Sequence, residues 1–390
     1  MSSRALARGA FEAALRTFDA RGLVARAVAR SRRADLLVAA GKAAATMYEA
    51  ALDARDFERA IVVVPPDGPR PAARPGLYVL TAPHPLPARA SVEAGEHVLD
   101  LVGRARRTTL LLSGGASAML AAPTVPLHDK IAVTRALLAS DATISEINTV
   151  RRHLSRIKGG HLARRGAVDA LVFSDVGRGG PWDVASGPSI GDPTSTRDAR
   201  RVLARHAPRF ARLPLSRSIP PGDPCLGACQ ARLLAGPATF AAHVGREMTQ
   251  RGVLVHVRRF VDGDVEDLAA AMIRAAARLP PRTAIVRPAE PALVVPPGAG
   301  SGGRSTHLAS LVGPRLPPGV AFLAGATDGV DGASGTGGAV VEGGDLLQGR
   351  DVASYVRAFD TGALHVRMGT ALPCRPTGLN FADVHVLVRG

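Results

Sequence analysis

The chain is poor in several residue types, and each shortage removes a class of protein. Three cysteines in 390 residues, an odd number, make no disulfide scaffold and suit a reducing compartment. Aromatic residues are only 4% of the chain, too few for a platform on which nucleic-acid bases stack. No apolar run approaches the roughly 20 residues that a helical membrane span needs. Lysine is the sharpest shortage. Of 49 cationic residues 46 are arginine, and the lysines are Lys42, Lys130 and Lys158 alone.

What is abundant bounds the answer from the other side. A hydrophobic fraction of 46% excludes intrinsic disorder as the main state and supplies a core for about two domains. The net charge of +16 invites a polyanionic partner. The arginines are dispersed, however, and the densest runs (Arg30, Arg32, Arg33; Arg104, Arg106, Arg107) are short. A background arginine bias is therefore the better account, and nucleic acid is not an expected partner. Residues 1–33 are arginine-rich and amphipathic like a transit peptide, but they contain Glu12, Asp19 and a break at Gly22. They read as two opening helices of a cytoplasmic protein.

Apolar runs without polar alternation recur at Leu36–Ala40, Ile61–Val64, Leu77–Leu80, Thr109–Leu112 and Leu171–Phe173, with helical patterns between them. Such runs suit strands buried on both faces, and the alternation implies an α/β fold with a parallel, Rossmann-like sheet. Residues 207–236 break the pattern with Pro208, Pro214, Pro220, Pro221 and Pro224 and read as a linker. Cys225 and Cys229 within it lack metal-ligand partners and read as plain thiols. A second α/β domain is expected over 237–390, after a first over 1–236. Its strands are expected near Val253–Val257, Ala292–Val295, Val320–Ala324 and Val384–Val388.

In open sheets of this kind ligands sit beyond the carboxyl ends of the strands, so the loops there are the candidates. Ala40-Gly41-Lys42-Ala43 places a glycine and an ammonium at a strand-to-helix turn, where helix N–H groups favour an anion. It is not a P-loop: Leu36 stands at the upstream glycine position and no Ser or Thr follows Lys42. In a chain that otherwise uses arginine, a retained lysine marks a need for a compact point charge. Lys158 in Ile157-Lys158-Gly159-Gly160 carries the same argument, whereas Lys130 follows His128-Asp129 in a helical pattern and is expected on the surface. Ser113-Gly114-Gly115-Ala116-Ser117 offers glycines and hydroxyls to a phosphate. His84 stands between Pro83 and Pro85, held in place. Gly298–Gly303 formally contains G-x-G-x-x-G, but Pro296-Pro297 replaces the strand that a dinucleotide fingerprint needs. Gly302-Gly303-Arg304 still places a planar fork at a helix start, suited to phosphate or carboxylate. Asp328 and Asp331, one in each half of Asp328-Gly329-Val330-Asp331-Gly332, are candidate metal ligands as well as turn residues. Cations, glycine turns and carboxylates at strand ends suit phosphoryl transfer, where catalysis is mostly positioning and charge neutralisation.

Several of these segments, in order along the chain, resemble the glycerate 2-kinase family with its MOFRL C-terminal domain. They are Ala40–Ala43, Pro83–Pro87, Ser113–Ala118, Ser145–Gly160, Ser174-Asp175-Val176, Ala185–Pro188 with Asp192–Thr194, Gly302–Arg304, Asp328–Gly332 and Pro376–Asn380. The resemblance implies two α/β domains with the active site in the cleft between them. It implies ATP- and Mg²⁺-dependent phosphorylation of a small-molecule substrate, D-glycerate, to 2-phosphoglycerate. By position Lys42 and Arg304 match the family's cationic active-site residues, and the Ser113–Ser117 loop would face phosphate. Asp175, Asp328 or Asp331 would hold Mg²⁺, and His84 would orient or deprotonate the substrate hydroxyl. A homo-oligomer is left open.

The chain also departs from the family pattern. Gly179-Gly180 stand where an adjacent Asp pair is usual, and Ser305-Thr306-His307 where Asn-Gln-Glu is usual. Pro288-Ala289-Glu290 reduces a Gly-Gly-Glu, and Ala82 and Ala116 replace glycines. A binding protein without turnover, and the hydroxypyruvate reductase label that some members carry, are the rival expectations.

Overall fold

A computed structural model describes residues 2–177, 180–345 and 352–390. The chain divides into two compact units, residues 19–234 and residues 1–18 with 235–390.

The unit 19–234 is built on a sheet of β1 (Leu36–Ala40), β2 (Arg59–Val64), β3 (Leu77–Thr81), β4 (Thr108–Leu112), β5 (Val168–Phe173) and β6 (Gln230–Ala235), in the order β3-β2-β1-β4-β5-β6. The first five pair in parallel. Every residue of β1, β4 and β5 is buried, as runs without polar alternation require. Side chains such as Leu36, Ile61, Leu110, Val168 and Val98 make one core. A second, smaller core joins the helices Leu127–Leu138, Ile144–His153 and Thr196–His206. β6 corrects the reading of 207–236 as a linker throughout: its last residues form the edge strand beside β5. Its half-exposed side chains erase the apolar run that marks the inner strands.

The other unit carries β7 (Leu254–Val257), β8 (Val261–Asp264), β9 (Thr283–Ala292), β10 (Val320–Ala326), β11 (Gly338–Glu342) and β12 (Asp383–Arg389). The order is β11-β10-β12-β9-β7, with β8 also paired to β9. This sheet is mixed. β10 runs antiparallel to β11 and β12, and β12 antiparallel to β9, whereas β7 and β8 run parallel to β9. The strand expected at Ala292–Val295 lies instead at Thr283–Ala292, and Val294 is 89% exposed. Pro288 and Pro291 hid it. β7 pairs with 283–286 and β8 with 289–292, so Pro288 falls in the gap where neither strand pairs.

The opening helix, Ser3–Thr17, also departs from the expected boundary at 236, because it packs on this second unit rather than on the first. Leu6, Ala7, Ala10, Phe11 and Ala14 form its buried stripe. The Phe11 ring meets Phe240 edge-on at 6.4 Å, and a Cβ at Gly325 would lie 2.7 Å from it. Ser3 Oγ donates to the Gly319 carbonyl at 2.6 Å. Among the described residues no helix is long and apolar enough to cross a membrane.

Phe11 is 2% exposed, so Phe11→Ala should cost about 3–5 kcal/mol. Hydrogen exchange should show protection falling across 235–390 while 19–234 stays protected. Equal loss in both units would contradict the assignment of this helix.

Candidate functional site

In the strand order β3-β2-β1-β4-β5-β6 the winding of the sheet reverses between β1 and β4, the place where open α/β sheets bind ligands. The two loops that leave the carboxyl ends there are Gly41–Ala43 and Ser113–Ser117. They are locked together by backbone. The Lys42 N–H donates to the Gly114 carbonyl at 2.8 Å, and the Ser113 N–H to the Ala40 carbonyl at 3.1 Å. Gly41 adopts φ +118°, and a Cβ there would lie 2.6 Å from the Ser113 carbonyl oxygen and 2.8 Å from that of Gly114. Only glycine meets both demands. Ser113 is buried, and its Oγ accepts the Ala43 N–H at 3.0 Å. Its hydroxyl therefore holds the loop rather than standing free for a phosphate, which corrects that part of the expectation.

The Lys42 side chain is exposed, and no ion pair or hydrogen bond among the described residues engages its ammonium. His84 lies beside the same turn: its Cδ2 would be 3.5 Å from a Cβ on Gly115, which has φ +85°. Burial, and then the charge of Lys42, lower the His84 pKa below its ordinary 6.5. The imidazole is thus neutral at pH 7, in the form that accepts a proton.

Ser117 opens a chain of polar groups that sequence reasoning did not single out. Its Oγ lies 3.0 Å from Ser186 Oγ, which donates to Asn148 Oδ1 at 2.9 Å, and Asn148 Nδ2 donates to the Asp183 carbonyl at 3.2 Å. Ala185 and Ser186 sit at φ 53° and 60°, a conformation that non-glycine residues hold only when their surroundings impose it. Arg152, 4% exposed, pairs with Asp183 at 3.1 Å and Asp192 at 3.4 Å. Asn148 and Ser186 lie inside the matched segments, yet nothing in their spacing marks them.

Lys158 is 2% exposed and its Nζ donates to the Leu120 carbonyl at 2.5 Å. It lines a small cavity that also reaches Ser117, rather than the glycine loop itself. Lys130, expected on the surface, is 5% exposed and lines the same cavity. The helical pattern gave its secondary structure but not its face. Asp175 follows β5 at the same carboxyl edge of the sheet. Of the adjacent glycines, Gly179 lies outside the described residues.

In the other unit a broad depression is lined by Glu290, Arg304, Asp328, Asp331, Asn380 and Asp383. Arg304 is held on two sides, by Asp383 (Nε to Oδ2, 2.8 Å) and Glu290 (Nη1 to Oε1, 3.2 Å). Burial lowers the affinity of Arg304 for its proton, but these two carboxylates outweigh it and raise the pKa. Burial pushes Asp383 up to about 7 against the pull of Arg304. Neither acid was anticipated as a partner, although Glu290 ends the reduced Gly-Gly-Glu segment.

Asp331 is committed to structure. Its two oxygens accept the N–H groups of Ser305 and Thr306 at 2.9 and 2.8 Å, capping the helix Arg304–Val312. The Gly303 N–H goes to Thr306 Oγ1 at 3.0 Å. The helix start is thus satisfied from within. Gly302 and Gly303 serve close packing instead: a Cβ on Gly302 would lie 2.5 Å from the Phe359 carbonyl, and one on Gly303 would strike Asp331. Asp328 is half-buried, with Oδ1 accepting the Val330 N–H at 3.0 Å. Among the described residues no three His, Cys, Asp or Glu side chains are grouped to hold a metal ion. Mg²⁺ commonly takes one or two carboxylates and completes its shell with water and phosphate oxygens, so a single acid, Asp175 in one unit or Asp328 in the other, would fit it.

The profile of a family described as a domain of unknown function (DUF4147) matches residues 6–215, and that of the MOFRL family matches residues 283–383. A putative hydroxypyruvate reductase of Agrobacterium vitis is 33% identical over 422 residues, covering 100% of this chain and 95% of the relative. The glycerate 2-kinase of Pyrococcus horikoshii is 28% identical over 386 residues, covering 90% and 86%. The crystal structure of a glycerate kinase from Thermotoga maritima superposes with a TM-score of 0.86 at 26% identity, covering 99% of each chain.

Gly41→Ala should lower the urea midpoint by an amount equivalent to about 2 kcal/mol or more, through strain and the clash with Ser113. Gly103→Ala, in the helix Arg89–Arg104 with open space around it, should raise stability by up to about 1 kcal/mol. A Gly41 variant as stable as the parent would contradict the close seam.

Proposed function

Because the chain belongs to the glycerate kinase family that carries a C-terminal MOFRL domain, we propose that it transfers the γ-phosphoryl group of ATP to D-glycerate, giving 2-phospho-D-glycerate. The observation that carries this reading is the exposed, uncommitted Lys42 ammonium at the switch point of a sheet ordered β3-β2-β1-β4-β5-β6, beside a neutral His84.

The roles follow from the chemistry of each group. Lys42 offers a point charge to the oxygens of the transferring group. His84 accepts the proton of the attacking hydroxyl. Gly41, Gly114 and Gly115 let backbone approach phosphate closely, with Ser117 adding a hydroxyl at the same turn. Lys158 lines the small cavity that also reaches Ser117, where burial, then Lys130 and Arg151, lower its hold on its proton. Arg304, fixed by Asp383 and Glu290, supplies a cation whose direction is set, on a segment that Gly302 and Gly303 allow to pack tightly. Asp175 or Asp328 is the carboxylate for Mg²⁺, and Asp331 acts as the cap that keeps Arg304 in place. Mg²⁺, when bound, neutralises charge on the phosphate oxygens. The three cysteines are unpaired, and we place the protein in the cytoplasm.

Two A. vitis relatives bear a putative hydroxypyruvate reductase name, which gives the reductase reading its source. A nicotinamide cofactor would need G-x-G-x-x-G after β1 and an acid near the end of β2. Here Ala43 and Thr46 occupy the second and third glycine positions, and β2 runs into Pro65-Pro66. The departures at Ser305-Thr306-His307 are absorbed by packing: Thr306 caps its own helix and His307 stacks on Phe359 at 5.2 Å. They motivate a binding-only reading as the remaining rival.

Purified protein with ATP, Mg²⁺ and D-glycerate should release ADP, and Lys42→Ala should lower kcat/KM at least ~100-fold, about 3 kcal/mol of transition-state stabilisation. NADH with hydroxypyruvate should give no oxidation. Folded wild-type protein that is stabilised by both ligands yet forms no product would establish the binding-only reading instead. The kcat/KM profile should fall on its acid side with an apparent pKa below 6.5, because His84 must be neutral. A His84→Gln variant should lose that limb together with most activity. An unchanged limb would remove His84 from the reaction.

A further inference from the structure

The cavity that Lys130 and Lys158 share is lined by 13 residues, including Arg151, Thr134 and Ser155 as well, and none of them is acidic. It has room for about one water. Three cationic side chains from separate segments thus border one small space, and the sequence brings no carboxylate to meet them.

Their hydrogen-bond accounts are open. Lys130 Nζ is buried and has no hydrogen-bond partner among the described residues. Lys158 Nζ makes one hydrogen bond among the described residues, to the Leu120 carbonyl, and burial, then Lys130 and Arg151, lower its pKa. Among the described residues Arg151 reaches only Asn148 Oδ1, at 3.4 Å. Ser155 Oγ accepts the N–H groups of Ile157 and Lys158 at 3.2 Å, which leaves its own proton to donate. Burying an uncompensated charge costs several kcal/mol, and like charges add to the cost. The same helix shows that compensation is within reach of this fold: Arg152, next to Arg151, is buried against both Asp183 and Asp192. Burial and the neighbouring Arg151 already bring the Lys130 pKa down to about 7.

We infer that this cavity is a binding site for a compact monovalent inorganic anion of chloride size, held by Lys130, Lys158, Arg151 and the Ser155 hydroxyl. The inference does not rest on the kinase reading. A bound anion would supply the counter-charge that the sequence omits. It would also rigidify the ground under Ser117, which lines the same cavity.

The test uses the full chain at pH 7 in sodium gluconate, whose anion is too large for the space, with chloride exchanged in at constant ionic strength. The melting temperature should rise saturably by about 2 °C or more. Lys130→Met should remove the response or weaken its half-saturation at least tenfold. Crystals of the wild type soaked in bromide should show an anomalous peak within hydrogen-bonding reach of Lys130 Nζ. A linear or absent chloride response, an equal response in Lys130→Met, or no bromide in the cavity would each overturn the proposal. So would a Lys130-dependent rise produced by D-glycerate and not by chloride. Should Lys130→Met fail to fold, the bromide map of the wild type decides.

Discussion

The closeness of two backbones, between Ala40–Lys42 and Ser113–Gly115, is the constraint on which the site-bearing edge of the unit 19–234 depends. β1 and β4 are neighbours in a sheet whose other strands spread away on either side. Nothing wider than a hydrogen atom fits on Gly41 without displacing Ser113. That contact fixes where Lys42 leaves the sheet, and it fixes Gly115, against which His84 rests. An ammonium and an imidazole are thereby presented from rigid elements rather than from loose loops, which is what a site that works by positioning demands.

The two units solve the problem of buried charge in different ways. Around Arg304 two carboxylates are present, and burial pushes one of them, Asp383, toward neutrality. Around Arg152, too, two carboxylates, Asp183 and Asp192, are supplied within the chain. Around Lys130, Lys158 and Arg151 only the cations are provided. Since the desolvation cost is similar in kind at all three places, the difference lies in which partner each region leaves to be supplied.

Much of the first sheet was legible because strands buried on both faces must be continuously apolar, and β1, β4 and β5 are. The loops that follow them stood out through glycine and the rare lysine. Edge and mixed strands were not legible. β6 alternates half-exposed residues, and β9 contains two prolines tolerated only because β7 and β8 leave a gap opposite one of them. The helix Ser3–Thr17 gave its period but not its partner, since amphipathicity names a buried face and not the surface that covers it. At the site, residue type alone misjudged Ser113, Asp331 and Lys130. A hydroxyl, a carboxylate and an ammonium read as free until the backbone amides and apolar walls around them are known. Glu290 and Asp383 were missed because their function is to hold another side chain, which no local spacing encodes.

The burial of two of the three lysines has a practical side. Lys130 and Lys158 are out of reach of solvent, and Lys42 is exposed. Arginine supplies the rest of the positive surface, and guanidinium stays protonated under conditions in which an amine can be acylated or reductively alkylated. Amine-directed reagents therefore meet one accessible side chain in a strongly basic protein. It is the residue at the sheet's switch point, so, apart from an α-amino group, a cross-linker, fluorophore or immobilisation chemistry chosen for lysine would attach there.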